Sequence, residues 1–403
     1  MPGLLPKGAE TDEEVHLASD LMAKAHCRDY SAGLDWLRTV SAGYPGFRRE
    51  HVRIVLSGGE LIGALRVNME TIRIGEARLR MGGLGFVTTA PHRRGSGVTR
   101  ALMLDTMRYL EEQRCHVAML FSVPNFYRRF GFAPTLNEYA IRSAVGTAPA
   151  ALCGGFRSRP GKPGDIRAIQ RIHAANDAET ACSIVRNAAH ISNRWDRWKD
   201  VQVVTNDQGK VLGYFVCRRE EEEVIIEETS AAGLGACGAV LQACMRTGAD
   251  VCVPRLCFRL PPRHPMTQYL LPRKSLHEIR VFRDSGGMMA IINLEETLES
   301  MIPEWESRLA QHSAREWREE VTLLIDHVPN RIRTHRGAID VASSSGKNKV
   351  SLSRADMVHL LTGYRYIDDI LTTQHRAITA NARTLLAVLF PKRTPFVWPL
   401  DRF

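Results

Sequence analysis

The chain has 403 residues, 44% hydrophobic and 24% charged, which suits a soluble protein of two or three domains. No apolar run is long enough to span a membrane, and Met1-Pro-Gly-Leu-Leu-Pro-Lys7 lacks a signal-peptide core, so a cytoplasmic protein is expected. The net charge of +10 raises nucleic-acid binding, but the arginines are dispersed and no recognised nucleic-acid motif is present; neither nucleic acid nor membrane is the expected partner.

Glu13 to Lys24 has the period of an amphipathic helix. Further on, Leu84, Phe86 and Thr88 alternate with Gly85, Val87 and Thr89, and Pro91 stops the strand. Glycines inside a strand mark a bulge or a close backbone approach. A bulge here splays the strand from its neighbour and leaves backbone groups for an amide-bearing ligand. Arg94-Gly95-Ser96-Gly97-Val98-Thr99 then forms a glycine turn before a helix. Its free N–H groups and positive dipole end suit a pyrophosphate, with Arg100 and the preceding basic residues at the rim. A glycine turn alone is also how many ordinary helices begin.

The helix runs from Val98 to about Gln113, with Asp105 intruding on an apolar face, and Val117–Phe121 reads as a strand buried on both faces. A dinucleotide-binding unit shares this order but wants G-x-G-x-x-G and an acid after the second strand. Neither is present; Ser122 stands at the strand end. Phe126-Tyr127-Arg128-Arg129-Phe130-Gly131-Phe132 follows. Its phenylalanines read as core, whereas a phenol at Tyr127 can protonate a leaving thiolate.

The stretch Met81–Phe132 resembles the acetyl-CoA cradle of GNAT-superfamily N-acetyltransferases. Thr99 departs from the small residue that ends the R/Q-x-x-G-x-G/A pattern. The resemblance implies that Phe86, Val87, Thr88, Thr89, Arg94, Gly95, Ser96, Gly97, Val98, Thr99 and Arg100 bind acetyl-CoA. Ser122 matches a family serine near the cofactor, a structural cap being the alternative, and Tyr127 takes the place of the family's catalytic tyrosine.

Three later segments extend the likeness. Pro160-Gly-Lys-Pro-Gly-Asp165 breaks the chain before an amphipathic stretch, Ile166–Asn176. Asn193-Arg-Trp-Asp-Arg-Trp-Lys199 precedes a strand at Val211–Cys217, and Glu227–Cys237 occupies the place of a second cradle without its glycine pattern. Leu298–His312 reads as helix broken at Pro303, Val321–Ile325 and Val350–Ser353 as strands, and Arg354–Gly363 as a helix with its glycine stop. The whole chain is similar to the Eis (enhanced intracellular survival) family. That implies an α/β (α+β) fold: a catalytic acetyltransferase domain at 1–150, a degenerate copy at 151–290, and a sterol-carrier-protein-like domain at 291–403. It also implies one CoA site per chain and a closed homo-oligomer, often a hexamer.

In that family the C-terminal carboxylate acts as base, a role that falls here on Phe403. A free α-carboxyl has a pKa of about 3.3–3.7, so desolvation or a bridging water must help it. The expected reaction is direct attack of a primary amine on acetyl-CoA, with Phe403 taking the proton and Tyr127 protonating sulfur. Trp36, Asp29 and Asp401 are the named candidates for the small-molecule amine. Asp20, Asp35, Phe47 and the Tyr44-Pro45-Gly46 turn are further ones, and each acid alone reads as solvated. Arg402 beside the terminus runs against a polycationic acceptor. A protein-lysine acetylase and a non-catalytic protein that binds through the sterol-carrier-like domain are the alternatives. The nine cysteines are odd in number, scattered and without C-x-x-C, so neither disulfides nor a metal site is expected.

Overall fold

The computed structural model describes residues 3–43, 46–146, 155–312, 316–372 and 378–403, with only backbone described for residues 40–43 and for Ser122. The first part comprises β1 (Leu5–Gly8), α1 (Asp12–His26), α2 (Tyr30–Gly43), β2 (Val52–Ser57), β3 (Glu60–Ile74), β4 (Ala77–Thr89), α3 (Val98–Glu112), β5 (Val117–Ser122), β6 (Ala133–Leu136) and β7 (Glu138–Ala144). The middle comprises β8 (Arg157–Pro160), α4 (Ile166–Asp177), α5 (Trp195–Trp198), β9 (Gln202–Thr205), β10 (Val211–Arg219), β11 (Glu223–Ala231), α6 (Leu234–Asp250), β12 (Arg255–Phe258), α7 (Pro265–Leu270), β13 (Ser275–Arg280) and β14 (Gly286–Ile291). The last part comprises α8 (Leu294–Ser300), α9 (Ile302–Ala310), β15 (Glu320–Ile325), β16 (Val328–His335), β17 (Ala338–Ala342), β18 (Lys349–Leu352), α10 (Arg354–Thr362), α11 (Ile367–Leu371) and α12 (Ala380–Leu389).

Three sheets result, ordered β1-β2-β3-β4-β5-β14-β6, β13-β7-β12-β11-β10-β9-β8 and β17-β16-β15-β18. The first two share one plan. Antiparallel strands lead to a parallel pair joined by a helix: β4 and β5 through α3, β11 and β12 through α6. This is the α/β fold expected, with two like units in tandem. The units also exchange strands. β7 crosses into the second sheet beside β12, and β14 returns to lie between β5 and β6. The segment 151–290 and the spatial unit therefore differ, because β14 belongs to the first sheet.

Local chemistry sets the element ends. Thr11 and Glu14 form a capping box at the start of α1 and satisfy two otherwise orphan N–H groups. The break at Pro303 falls between α8 and α9, with the proline in the first turn of α9 where no N–H is needed. Asp105 intrudes on α3 because it holds buried Arg53 at 2.6 Å, and Arg53 in turn lies 4.5 Å over the Tyr109 ring.

One face of the first sheet packs on α3 through Leu102, Leu110, Leu84, Ala118 and Leu120. The opposite face is divided. Ile54, Ala64 and Phe86 meet α1 and α2, while Ile72, Leu79, Met81 and Met119 join the core of the C-terminal unit. In that unit Trp305, Leu385, Leu389 and Phe390 are buried in the same core as the sheet residues Val321, Leu323 and Ile332. Each such side chain contributes about 1.5–3 kcal/mol by leaving water. Between the two apolar zones β3 carries Arg66, Asn68 and Glu70 on the same face, and this polar strip positions the site.

Candidate active site

The bulge lies in β4. On β3, Ala64 pairs with Thr88 and Arg66 with Gly85, so Phe86 and Val87 together oppose Leu65. Phe86 takes a φ of 55°, a left-handed conformation rare for a bulky residue. Pairing between β4 and β5 stops at Leu84 and Leu120, although both strands continue. A cleft of ≈ 610 Å³ opens beyond that point, lined by Gly85, Phe86, Val87, Phe121, Tyr127 and Phe403 among others. The Thr88 hydroxyl donates to the Phe86 carbonyl at 2.7 Å and meets His26 Nε2 at 3.0 Å. Thr89 and Thr99 join hydroxyls at 2.7 Å, tying the strand end to the first turn of α3.

The turn before α3 is open to solvent from Arg94 to Gly97. Gly95 and Gly97 have φ of 77° and 84°, and Gly97 caps α3, so the first N–H groups of the helix face outward. His92 and Arg93 share Glu60, at 3.0 and 3.6 Å. Arg94 and Arg100 are exposed.

Tyr127 starts a short 3-10 helix, Tyr127–Phe130, and is 9% exposed. Phe126 and Phe132 stand edge-on to its ring at 4.9 and 6.2 Å. Burial pushes the phenol up to about 12, so it keeps its proton at neutral pH. Asp284 tethers this segment, accepting from Arg128 at 2.6 Å while its carbonyl takes the Asn125 N–H at 3.1 Å. Ser122 ends β5, and its side chain lies outside the described residues.

The chain returns to this cleft at its far end. A Cβ added to Gly83 would lie 2.7 Å from the Phe403 ring, and one on Gly85 would lie 2.9 Å from the Phe403 carboxyl carbon. The tail thus lies directly against β4, one residue before the bulge. The Phe403 ring stands 5.8 Å from Phe121, and Arg402 lies 4.6 Å over Phe121 on its way to Glu138. Phe403 also lines a second, narrower pocket with Trp36, Asn68, Phe86, Arg194 and Arg197. Phe403 therefore lines both the cleft at the β4 bulge and this pocket.

The three acceptor candidates meet different fates. Trp36 lines the narrower pocket, 5.9 Å from Phe86, with its indole N–H on Asp196 at 2.7 Å. Asp29 is exposed and accepts from the Ala32 N–H at 3.0 Å, the geometry of a cap for α2. Asp401 borders the pocket, but its carboxylate is buried between Arg186 and His190, at 3.0 and 2.9 Å. That cation holds it well below the usual carboxylate range, and it is committed to the tail's anchorage rather than to a free amine. Of the further candidates, Tyr44 and Pro45 lie outside the described residues.

Sequence reading missed the polar strip and its partners. Arg194 ion-pairs with Glu70, and Arg197 donates to two tail carbonyls. The alternation of Arg66, Asn68 and Glu70 with Leu65, Val67 and Met69 was a readable signal, since residues two apart share a face.

Residues 9–135 match the family described as acetyltransferase (GNAT) domain, so this part of the chain is a GNAT domain and the protein is an acetyltransferase. Solved structures share the fold over the whole chain. A GCN5-related N-acetyltransferase from Anabaena variabilis is 16% identical with a TM-score of 0.76, each chain covered to 100%. A probable N-acyltransferase from Enterococcus faecalis is 16% identical at 0.78, again with 100% of each chain covered. Eis1 from Mycobacterium abscessus is 13% identical at 0.65, covering 98% of this chain and 99% of its own. No curated protein matches the chain. No helix among the described residues is long and apolar enough to cross a membrane.

Proposed function

We propose that the protein transfers acetyl from acetyl-CoA to a primary amine by direct attack. The observation that carries this reading is the meeting, in one cleft, of the β4 bulge, the buried Tyr127 phenol and the Phe403 carboxyl. The exposed turn at Arg94–Gly97 would hold the pyrophosphate at the N-terminus of α3. The pantetheine arm would pair with β4 where β5 leaves it, and the bulged backbone near Val87 would polarise the thioester carbonyl. The amine would enter from the Trp36 side. Its proton would pass to the Phe403 carboxylate, directly or through water, and Tyr127 would protonate the departing sulfur.

The acceptor fits a small amine better than a polycation. Four arginines line its pocket, and one of the two aspartates there, Asp401, is already neutralised. The core of the C-terminal unit, read as sterol-carrier-like, is shared with Ile72, Leu79, Met81 and Met119 of the first sheet, which favours a structural part in this enzyme over lipid carriage. We read the working form as a cytoplasmic homo-oligomer. The test is release of free CoA from acetyl-CoA across a panel of primary amines, with acetyl-CoA binding followed by calorimetry. Turnover of a small amine with one CoA bound per chain is expected. No CoA binding and no transfer to any amine would overturn the reading.

A further inference from the structure

The tail from Phe396 to Phe403 spans both like units, and almost all of its polar anchors belong to the second. Trp398 Nε1–H donates to Asp177 Oδ1 at 2.8 Å, and the indole stands 5.4 Å from both His173 and His264. Asp401 meets Arg186 and His190. Arg186 is in turn fixed by Glu228, at 2.7 and 2.6 Å. Nearest the end, Arg197 Nη1 donates to the carbonyl oxygens of Leu400 and Arg402, each at 2.8 Å. The guanidinium lies 5.3 Å over Trp36, the aromatic wall of the acceptor-side pocket. α5, which carries Arg197, thus touches the tail and the acceptor pocket at once.

We propose that the second unit is the device that aims the terminal carboxylate, with Arg197 as its positioning residue. The idea rests on the Phe403 carboxylate being the base. The backbone on both sides of Asp401 is held by a single planar cation, while Asp401 itself is fixed from behind by Arg186. Three successive residues are therefore pinned before Phe403, whose ring then seats against Gly83 and Phe121. The Phe403 carboxyl then lies against Gly85, beside the β4 bulge. This gives the degenerate copy a use that needs no second cofactor.

The inference separates from mere stability by a double-mutant cycle on the full chain. R197Q is expected to lower kcat about tenfold or more with the best acceptor of the amine panel, while the acetyl-CoA dissociation constant stays within about twofold. R197K, which keeps the charge but not the planar fork, should fall between. A chain with one glycine appended after Phe403 loses the carboxylate from its place, and adding R197Q to it should cost nothing further. Carboxypeptidase should release Phe403 faster from R197Q than from the parent. Full additivity of the two changes, or an unchanged rate of Phe403 release, would overturn the proposal. A harmless glycine extension would instead remove the base reading itself, and the carboxypeptidase rates would still report whether Arg197 holds the tail.

Discussion

The two like units differ most where they are most alike. In the first, β4 and β5 part after Leu84 and Leu120, and the eight residues 90–97 lead to α3. In the second, β11 and β12 part after Ile226 and Phe258, yet only residues 232–233 precede α6. That short connection, Ala232-Gly233, carries no cation, whereas the longer one carries His92, Arg93 and Arg94. The space beyond the parting is also occupied: Phe396 and Trp398 are buried in one cluster with Ile226, Phe258 and Leu260. After β5 the chain presents Tyr127, whereas after β12 it presents α7 and the buried His264. The two splayed strand pairs thus differ in the charge of the loop, in the Tyr127 phenol and in the open cleft beside them.

The sharpest way to break this comparison is Tyr127→Phe. The ring packing on Phe126 and Phe132 survives, so the fold should hold and only the proton donor is lost. A fall in kcat of about 10²-fold or more is expected, with acetyl-CoA affinity unchanged in calorimetry. Full activity in the variant would leave Tyr127 as a core aromatic, no different from its neighbours.

That variant also marks how far sequence could reach. The strand, the glycine turn, α3, β5 and the aromatic segment were legible because each rests on local rules of period, glycine and chain breakers. The strand exchange was not. Met288–Ile291 is simply an apolar strand, and nothing local says that it pairs with β5. β16 and β17 were also missed, since the buried face of Val328–His335 carries Asn330, Ile332 and Thr334, of which Ile332 alone is apolar. Asp401 looked like a substrate carboxylate beside the terminus. Its partners Arg186 and His190 lie more than two hundred positions away, where spacing carries no information.

Trp398→Ala probes the plug in the second unit. The indole is fully buried, and its loss leaves a cavity and removes the donor to Asp177 Oδ1. Destabilisation of about 3–5 kcal/mol is expected in denaturant unfolding. CoA stoichiometry should stay at one per chain even so, because the short 232–233 connection is unchanged. A second bound CoA would show that the plug, not the loop, closes this cleft.

Acid should destabilise the second unit through the balance of three buried groups. Burial holds His264 down to about 3 and His173 well below its ordinary value, so both are neutral when folded. The unfolded chain binds those two protons near pH 6.5, and stability is therefore lost as pH falls below that value. Asp177 works the other way: burial pushes it up to about 6, so the folded state takes one proton earlier than the unfolded. One net proton remains, at about 1.4 kcal/mol per pH unit, or roughly 3 kcal/mol between pH 6 and 4. Thermal melts at stepped pH should show at least this slope, since burial holds His51 and His116 of the first unit low as well, and His264→Asn should lessen it. A flat profile in the parent chain would mean that these histidines are solvated.

The smallest effect tests the turn that the second unit lacks. His92 and Arg93 already share Glu60, so removing either changes a local ion pair as well as the anion site. Arg94 is the exposed cation at the start of the glycine turn. Arg94→Ala should therefore weaken acetyl-CoA binding by about fivefold, near 1 kcal/mol, with kcat unchanged. Because an exposed cation acts through water, the loss should shrink as salt rises and the Debye length contracts. Calorimetry of the parent and the variant at low and high salt reads both quantities. Equal affinities for acetyl-CoA at low salt would move the pyrophosphate away from this turn, and with it the one feature that most separates the first unit from the second.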